Sequence, residues 1–348
     1  MRVYPDNPKL QYSGRIDFDN PKEPVLVFAA TYIKIKFTGA SIKACLDNRR
    51  NCWSNYMGVI ADGVQSAVEL ADGEGKYLLA DGLGEGVHEL MLFKRQDSCH
   101  YVVFKGFELE DGAELLEMPP LPERRIEVFG DSVSCGEVSE ALDYVGKADP
   151  EHNGEFSNSW YSYSWLTARR LNAELHDTSQ GGIALLDGTG YFNGPDDLRG
   201  MESSYDKIQY NPFLGELKPW DFSKWQPHVV IAAIGQNDAN PVNIMAEDYD
   251  SEASVSWRAR YKAWIERLAE LYPSARIILT TTILMHDPAW DRAIDEVCGQ
   301  IGSGRVTHFM YKRNGAGTPG HIRIPEAEEM SGELAAYIEG LGEEIWNG

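Results

Sequence analysis

Three prolines fall within five residues at Met118-Pro119-Pro120-Leu121-Pro122, and the hydrophobic pattern differs on either side of them. Proline cannot donate to a β-ladder and stiffens the path of the chain, so a regular element does not run through this stretch. The boundary predicts a first domain over residues 1–118, a linker over 119–123 and a second domain over 124–348. Two domains also suit a chain of 348 residues. Before the prolines, Val25–Phe28, Tyr32–Phe37, Met57–Ile60, Val87–Phe93 and Tyr101–Phe104 read as short strands. The second of these alternates with period two, and Asp62-Gly63 marks a tight turn after the third. Short strands at such spacing predict a β-sandwich of jelly-roll type.

After the prolines, apolar strands alternate with helices. The strands are Ile126–Phe129, Ala173–Asp177, Val229–Ile234, Ile277–Thr282 and Val306–Met310. The helices are Trp160–Leu171, Trp257–Leu271, Pro288–Gly299 and Pro325–Leu341, while Asn211–Phe222 reads as a long loop. That rhythm predicts an α/β fold, a three-layer doubly wound parallel sheet of flavodoxin-like kind.

The net charge of −22 repels phosphate backbones and anionic membranes, so nucleic acid is not an expected partner. It disfavours polyanionic glycans and suits neutral ones. The first residues lack the apolar run of a secretory signal, and no stretch is long and apolar enough to span a bilayer. Five scattered cysteines, Cys45, Cys52, Cys99, Cys135 and Cys298, fit reduced thiols and a cytoplasmic location. No Cys-x-x-Cys or His-x-x-x-His spacing suggests a metal.

The chemistry sits at strand ends. Gly130-Asp131-Ser132 follows the apolar run Ile126–Phe129, where open α/β sheets place their reactive groups. It is followed in order by Gln180-Gly181-Gly182, Gly235-Gln236-Asn237-Asp238 and Gly320-His321. Acyl transfer needs a nucleophile, a base and donors aimed at an oxyanion. Ser132 supplies the first and His321 the second, and acyl transfer by a serine and a histidine needs no organic cofactor. Gly181 and Gly182 let backbone N–H groups approach a ligand, and the Asn237 amide adds donors. Each has a plain alternative: Ser132 as a helix cap, the glycines as a turn, Asn237 as a strand-end residue. Serine at 134 excludes the Gly-x-Ser-x-Gly elbow of α/β-hydrolases. Of the other histidines, His176 and His308 lie within strands and read as structural. His228 precedes a strand, His88 and His100 lie in the sandwich, and His152 and His286 stay open as loop alternatives.

These blocks resemble those of the SGNH hydrolases: Gly-Asp-Ser, then Gly, then Gly-x-Asn-Asp, then a late His. A sandwich ahead of such a domain, with a Pro-rich join, is similar to carbohydrate esterase family 2. The resemblance implies removal of acetyl groups from neutral plant glycans or oligosaccharides of xylan, mannan or glucomannan type. It assigns Ser132 as nucleophile and His321 as base. The oxyanion hole falls to the N–H groups of Ser132 and Gly181 and the side chain of Asn237. The family's usual Asp-x-x-His has Thr318 in place of the acid. A Ser–His dyad is therefore expected, with a backbone carbonyl near Ala316–Thr318 holding the imidazole and Asp287 as a lesser substitute. Two other readings are an SGNH esterase or thioesterase for other acyl esters and a carbohydrate-binding protein without catalysis.

Sugar rings pack their C–H faces on aromatic planes. Trp220 is the first candidate for such a platform, followed by Tyr191 and Trp160, with Phe192, Trp257 and Trp290 behind them. Asn55-Tyr56 and Arg95-Gln96-Asp97 are candidate sandwich loops facing the site.

Overall fold

Alternation decides the first half of the chain. In Tyr32–Thr38, Ile33, Ile35 and Phe37 are fully buried while Lys34 and Lys36 are partly exposed, as period-two patterning requires. The computed structural model describes residues 1–192 and 199–347. Its N-terminal part is a sandwich of two six-stranded sheets. One is built around His100–Leu109 between Ile42–Arg50 and Val25–Leu26, the other around Val87–Lys94 between Tyr32–Thr38 and Asn55–Ala61. All pairs in both sheets are antiparallel. Ile35, Phe37, Leu46, Val59, Leu92 and Phe104 fill the space between them. The last sandwich strand, Leu115–Leu116, ends before the prolines, and the next strand starts at Arg124.

The second half is a five-stranded parallel sheet: β1 (Arg124–Phe129), β2 (Ala173–Asp177), β3 (Val229–Ala232), β4 (Arg276–Leu279) and β5 (Val306–His308). Its order is β2-β1-β3-β4-β5, with Val128 opposite Asp177 on one side and Ile231 on the other. Ile126 and Val128 join the buried cluster of Leu166, Met330 and Leu334, beneath α2 (Tyr163–Arg170) and α5 (Ile324–Gly340). Phe129 joins Trp264, Ile265 and Ile294 on the other face, beneath α3 (Glu252–Leu271) and α4 (Pro288–Ile301). This is the expected three-layer architecture. The order reverses between β1 and β3, the place where such sheets bind ligands.

Caps correct two boundaries. Ser162 accepts from the Trp165 N–H, so α2 starts at Tyr163 and Trp160 lies in a separate 3-10 turn. Ser251 caps α3, which starts at Glu252, five residues before the predicted start at Trp257.

The two parts share their cores. Val27, Phe28 and Tyr101 of the sandwich lie in the Phe129 cluster, and Ala30, Tyr32 and Phe93 in the Val128 cluster. A fully buried ion pair, Arg15 to Glu127 at 2.9 Å, crosses the join. No helix among the described residues is long and apolar enough to cross a membrane.

Candidate active site

Ser132 opens a single helical turn, α1 (Ser132–Cys135), directly after β1. Asp131 caps that turn by accepting from the Val133 N–H at 3.0 Å. Gly136 ends it with φ 76°, a conformation that glycine adopts without strain. The tight strand-to-helix reversal leaves Ser132 facing the cleft beyond the sheet.

His321 comes to it from the loop before α5. Its Nε2 lies 2.8 Å from Ser132 Oγ. Its Nδ1 lies 2.6 Å from Asp149 Oδ2, and its backbone N–H donates to Asp149 Oδ1 at 2.9 Å. A carboxylate therefore faces the imidazole where a carbonyl near Ala316–Thr318 was expected. Thr318 is turned away: its carbonyl accepts from Met285 N, and its buried hydroxyl has no partner among the described residues. Asp287 caps α4 by accepting from Ala289 N at 2.9 Å and has no part in the site.

Asp149 belongs to the long segment between α1 and α2, a polar stretch with no sequence motif. Two features hold it against His321. The fully buried Arg323 guanidinium donates to Asp149 Oδ1 at 2.8 Å. Gly320 leaves the room, because a Cβ there would sit 2.6 Å from the Lys147 carbonyl and 2.7 Å from Asp149 Oδ1. No sequence signal marks Asp149: Arg323, two residues after His321, needs a carboxylate because its guanidinium is buried, and that burial shows only in the fold.

The loop histidines are otherwise engaged. His286 bridges the Leu284 carbonyl at 2.7 Å and Asp291 Oδ2 at 3.0 Å. His152 stacks on Trp53 with ring centroids 4.8 Å apart. His176 stacks on Trp225 at 3.6 Å, a structural role as predicted.

The predicted oxyanion donors converge on the same cleft. Ser132 N–H is the first of the donors that a helix start leaves unpaired. Asn237 follows β3, and its Nδ2 donates to the Ile183 carbonyl at 3.0 Å and lies 3.5 Å from Asp131 Oδ2. Gly181 N–H is taken by a group from the sandwich, Asp97 Oδ2, at 2.6 Å. The same oxygen accepts from Gln180 Nε2 at 2.7 Å. Of the two proposed sandwich loops, Asp97 reaches the site. Asn55 instead bonds Asn48 inside the sandwich at 2.7 Å.

Negative charge surrounds the imidazole. Glu137 Oε2 lies 3.9 Å from His321 Nε2. Burial alone would lower the His321 pKa, but Glu137, then Asp149, then Asp131 hold it above the ordinary value. Asp149 moves the other way. Burial would raise it, yet the His321 hydrogen bond and charge, with Arg323, pull it far below the usual carboxylate range.

Ser132, His321, Asp149, Gly181 and Asn237 line one cleft of about 720 Å³. Its aromatic walls differ from most of those predicted. Tyr191 lines it and is 64% exposed, and Phe192 lies behind it. Trp220 does not: Arg15 sits over its ring at 5.2 Å, away from the cleft. Trp160 packs on Trp165 at 4.9 Å under the Arg169 guanidinium, and Trp257 and Trp290 are core. Trp53 and Phe213, 40% and 56% exposed, complete the aromatic wall. Neither stands in a pattern that marks it. Trp53 reaches the cleft from a turn with φ 56°, and Phe213 from an irregular loop. Among the described residues, no three His, Cys, Asp or Glu side chains group as a metal site.

Residues 12–119 match the family Carbohydrate esterase 2 N-terminal. Over 345 residues the chain is 29% identical to the cellulase/esterase CelE of Acetivibrio thermocellus, covering 96% of this chain and 39% of that protein. It thus spans well under half of that relative. It is 26% identical over 338 residues to the acetylxylan esterase / glucomannan deacetylase of Cellvibrio japonicus, covering 95% of this chain and 88% of that one. Among solved structures, a family two carbohydrate esterase from Clostridium thermocellum in complex with cellohexaose superposes with TM-score 0.78 at 25% identity, covering 95% and 98% of the two chains. A family two carbohydrate esterase from Cellvibrio japonicus gives TM-score 0.81 at 24% identity, covering 100% and 98%. With its sandwich matched by the family's own N-terminal domain and both halves matched by family structures, the chain has the fold of carbohydrate esterase family 2, a β-sandwich joined to an SGNH-like α/β domain.

Proposed function

We propose that this protein is a carbohydrate O-acetyl esterase acting on neutral, plant-derived glycans or oligosaccharides through an acetyl-enzyme. The observation that carries the reading is the hydrogen-bonded line from Ser132 through His321 to Asp149 on the wall of the cleft. His321 Nε2 takes the Ser132 proton as Oγ attacks the acetyl carbonyl. Asp149 holds Nδ1–H and stabilises the imidazolium that forms. Ser132 N–H faces the developing oxyanion; the Asn237 amide joins it by turning one N–H from the Ile183 carbonyl or Asp131, and Gly181 N–H joins once Asp97 is displaced. The imidazolium then protonates the departing sugar hydroxyl. Water, activated by the same base, releases acetate and restores Ser132.

The relatives named for acetylxylan, glucomannan and cellulase activities support β-linked neutral glycans as the substrate class. Tyr191, Phe213 and Trp53 would pack against their rings, while Asp97, Glu137 and Asp149 around the cleft disfavour acidic ones. The test is acetate release from acetylated xylo-, manno- and cello-oligosaccharides, with Ser132→Ala as control. Release by the wild type should fall at least about 10³-fold in the variant, with an unchanged circular dichroism spectrum. Equal release by both would contradict the assignment. Faster turnover of long-chain esters than of acetylated sugars would favour the other acyl-ester reading.

A further inference from the structure

The geometry points to a redox modification site at the rim of the cleft: Cys52 and Cys99 close into a disulfide by exchange with a low-molecular-weight disulfide such as oxidised glutathione. This inference is independent of the esterase reading. The two Sγ atoms lie 3.1 Å apart as free thiols, whereas a disulfide needs about 2.05 Å, so a small side-chain movement suffices.

Hydrogen bonds set both cysteines in place. Arg50 pairs with His100 at the end of one antiparallel ladder, and Asn51 N donates to the Cys99 carbonyl at 2.9 Å. His100 Nε2 lies 3.2 Å from the Trp53 carbonyl. On the other side, the buried Lys94 ammonium donates to the Asp97 carbonyl at 2.7 Å, and Cys99 N donates to Asp97 Oδ1 at 2.9 Å. The remaining cysteines lie elsewhere: Cys45 beside Glu108, Cys135 buried in α1, Cys298 beside the Val306 carbonyl. Cys52 is exposed and meets the oxidant, while Cys99 is only partly accessible and closes the bond.

The Cys52 thiolate attacks one glutathione sulfur, and a glutathione thiolate leaves with the bonding pair. The Cys99 thiolate then attacks the Cys52 sulfur and displaces the second glutathione. Two protons and two electrons pass from the protein to glutathione. The hydrogen bond shared with Cys52, in which Cys99 keeps its proton, then burial and the Asp97 carboxylate, push the Cys99 thiol well up, so the closing step speeds as pH rises. The bond would brace the cleft wall formed by Asn51, Trp53 and Asp97, the last of which grips Gly181.

The test incubates the folded chain with oxidised glutathione at about pH 8.5, where a free thiol is roughly half ionised. Alkylation, intact mass and non-reducing tryptic mapping follow. The expected product is lighter by two hydrogens, with the peptide Asn51–Lys76 joined to Gln96–Lys105. The link should form at least about tenfold faster in the folded chain than in guanidinium, where closure draws only on the proximity of a flexible loop. It should vanish in Cys52→Ser and in Cys99→Ser. Five alkylated cysteines, a link through Cys45, Cys135 or Cys298, or equal rates folded and unfolded would overturn it.

Discussion

Asp149 does for His321 what Thr318 cannot. A threonine hydroxyl carries no charge to offset an imidazolium, and this one is buried away from the ring. Around the same imidazole, Glu137 adds a second charge at 3.9 Å. The raised His321 pKa has a definite sign for both stability and rate. It contributes stability below the unfolded value of about 6.5, and that contribution is lost as pH rises through the folded value. The proposed mechanism needs the neutral ring, so the acidic limb of kcat/KM should lie above that same value. Glu137→Gln removes the leading charge that raises it, and should move this limb to lower pH in a pH–rate profile. A limb that stays in place would remove Glu137 from the account. Ser132, His321, Asn237 and Gly181 were legible because each follows an apolar strand or a glycine-marked turn. Asp149 was not, because its neighbours carry no periodicity and its partners lie far away in sequence. The aromatic wall was only partly legible: exposure, which separates Tyr191 from Trp257, is not written in residue type.

At the scale of elements, the five strands and the βαβ rhythm were plain because parallel strands buried on both faces read as apolar runs. Helix starts were less plain, since Ser162 and Ser251 set them through side-chain caps. The segment carrying Asp149 is neither strand nor α-helix, and tertiary bonds hold it. Arg95 from the sandwich donates to the Ser157 carbonyl at 2.9 Å and the Glu155 carbonyl at 3.1 Å, and pairs with Glu140. Glu140 in turn accepts from Asn158 Nδ2 at 2.9 Å. Arg95→Met should cost about 1.5–3 kcal/mol through the lost charged hydrogen bonds. By loosening Asp149 it should also lower kcat and move the acidic limb down. Rescue of the limb by Arg95→Lys would mark Arg95 as a positioning residue; an unmoved limb in Arg95→Met would leave it a purely structural one.

Across the whole molecule, the Pro-rich join separates two folding patterns and leaves one continuous interior. Val27, Phe28 and Tyr101 share the core with Phe129, and Arg15 reaches Glu127 inside it. The sandwich therefore both supports the α/β domain and lends Asp97, Arg95 and Trp53 to the cleft and its surroundings. Removing one partner of a buried ion pair leaves the other charge unpaired, so Arg15→Met should destabilise the protein by about 3–5 kcal/mol. A urea unfolding curve would read this as a lower midpoint in one shared transition. Two separate transitions would show instead that the domains fold independently.

The central claim is that Ser132, His321 and Asp149 act together to remove acetyl groups. Its most direct test is acetate release from an acetylated oligosaccharide by wild type and Asp149→Asn, with circular dichroism confirming the fold. The wild type should release acetate and the variant should be slower by about 10²–10⁴-fold, as when a triad acid is neutralised. No release by the wild type, or equal rates for the two proteins, would contradict the account.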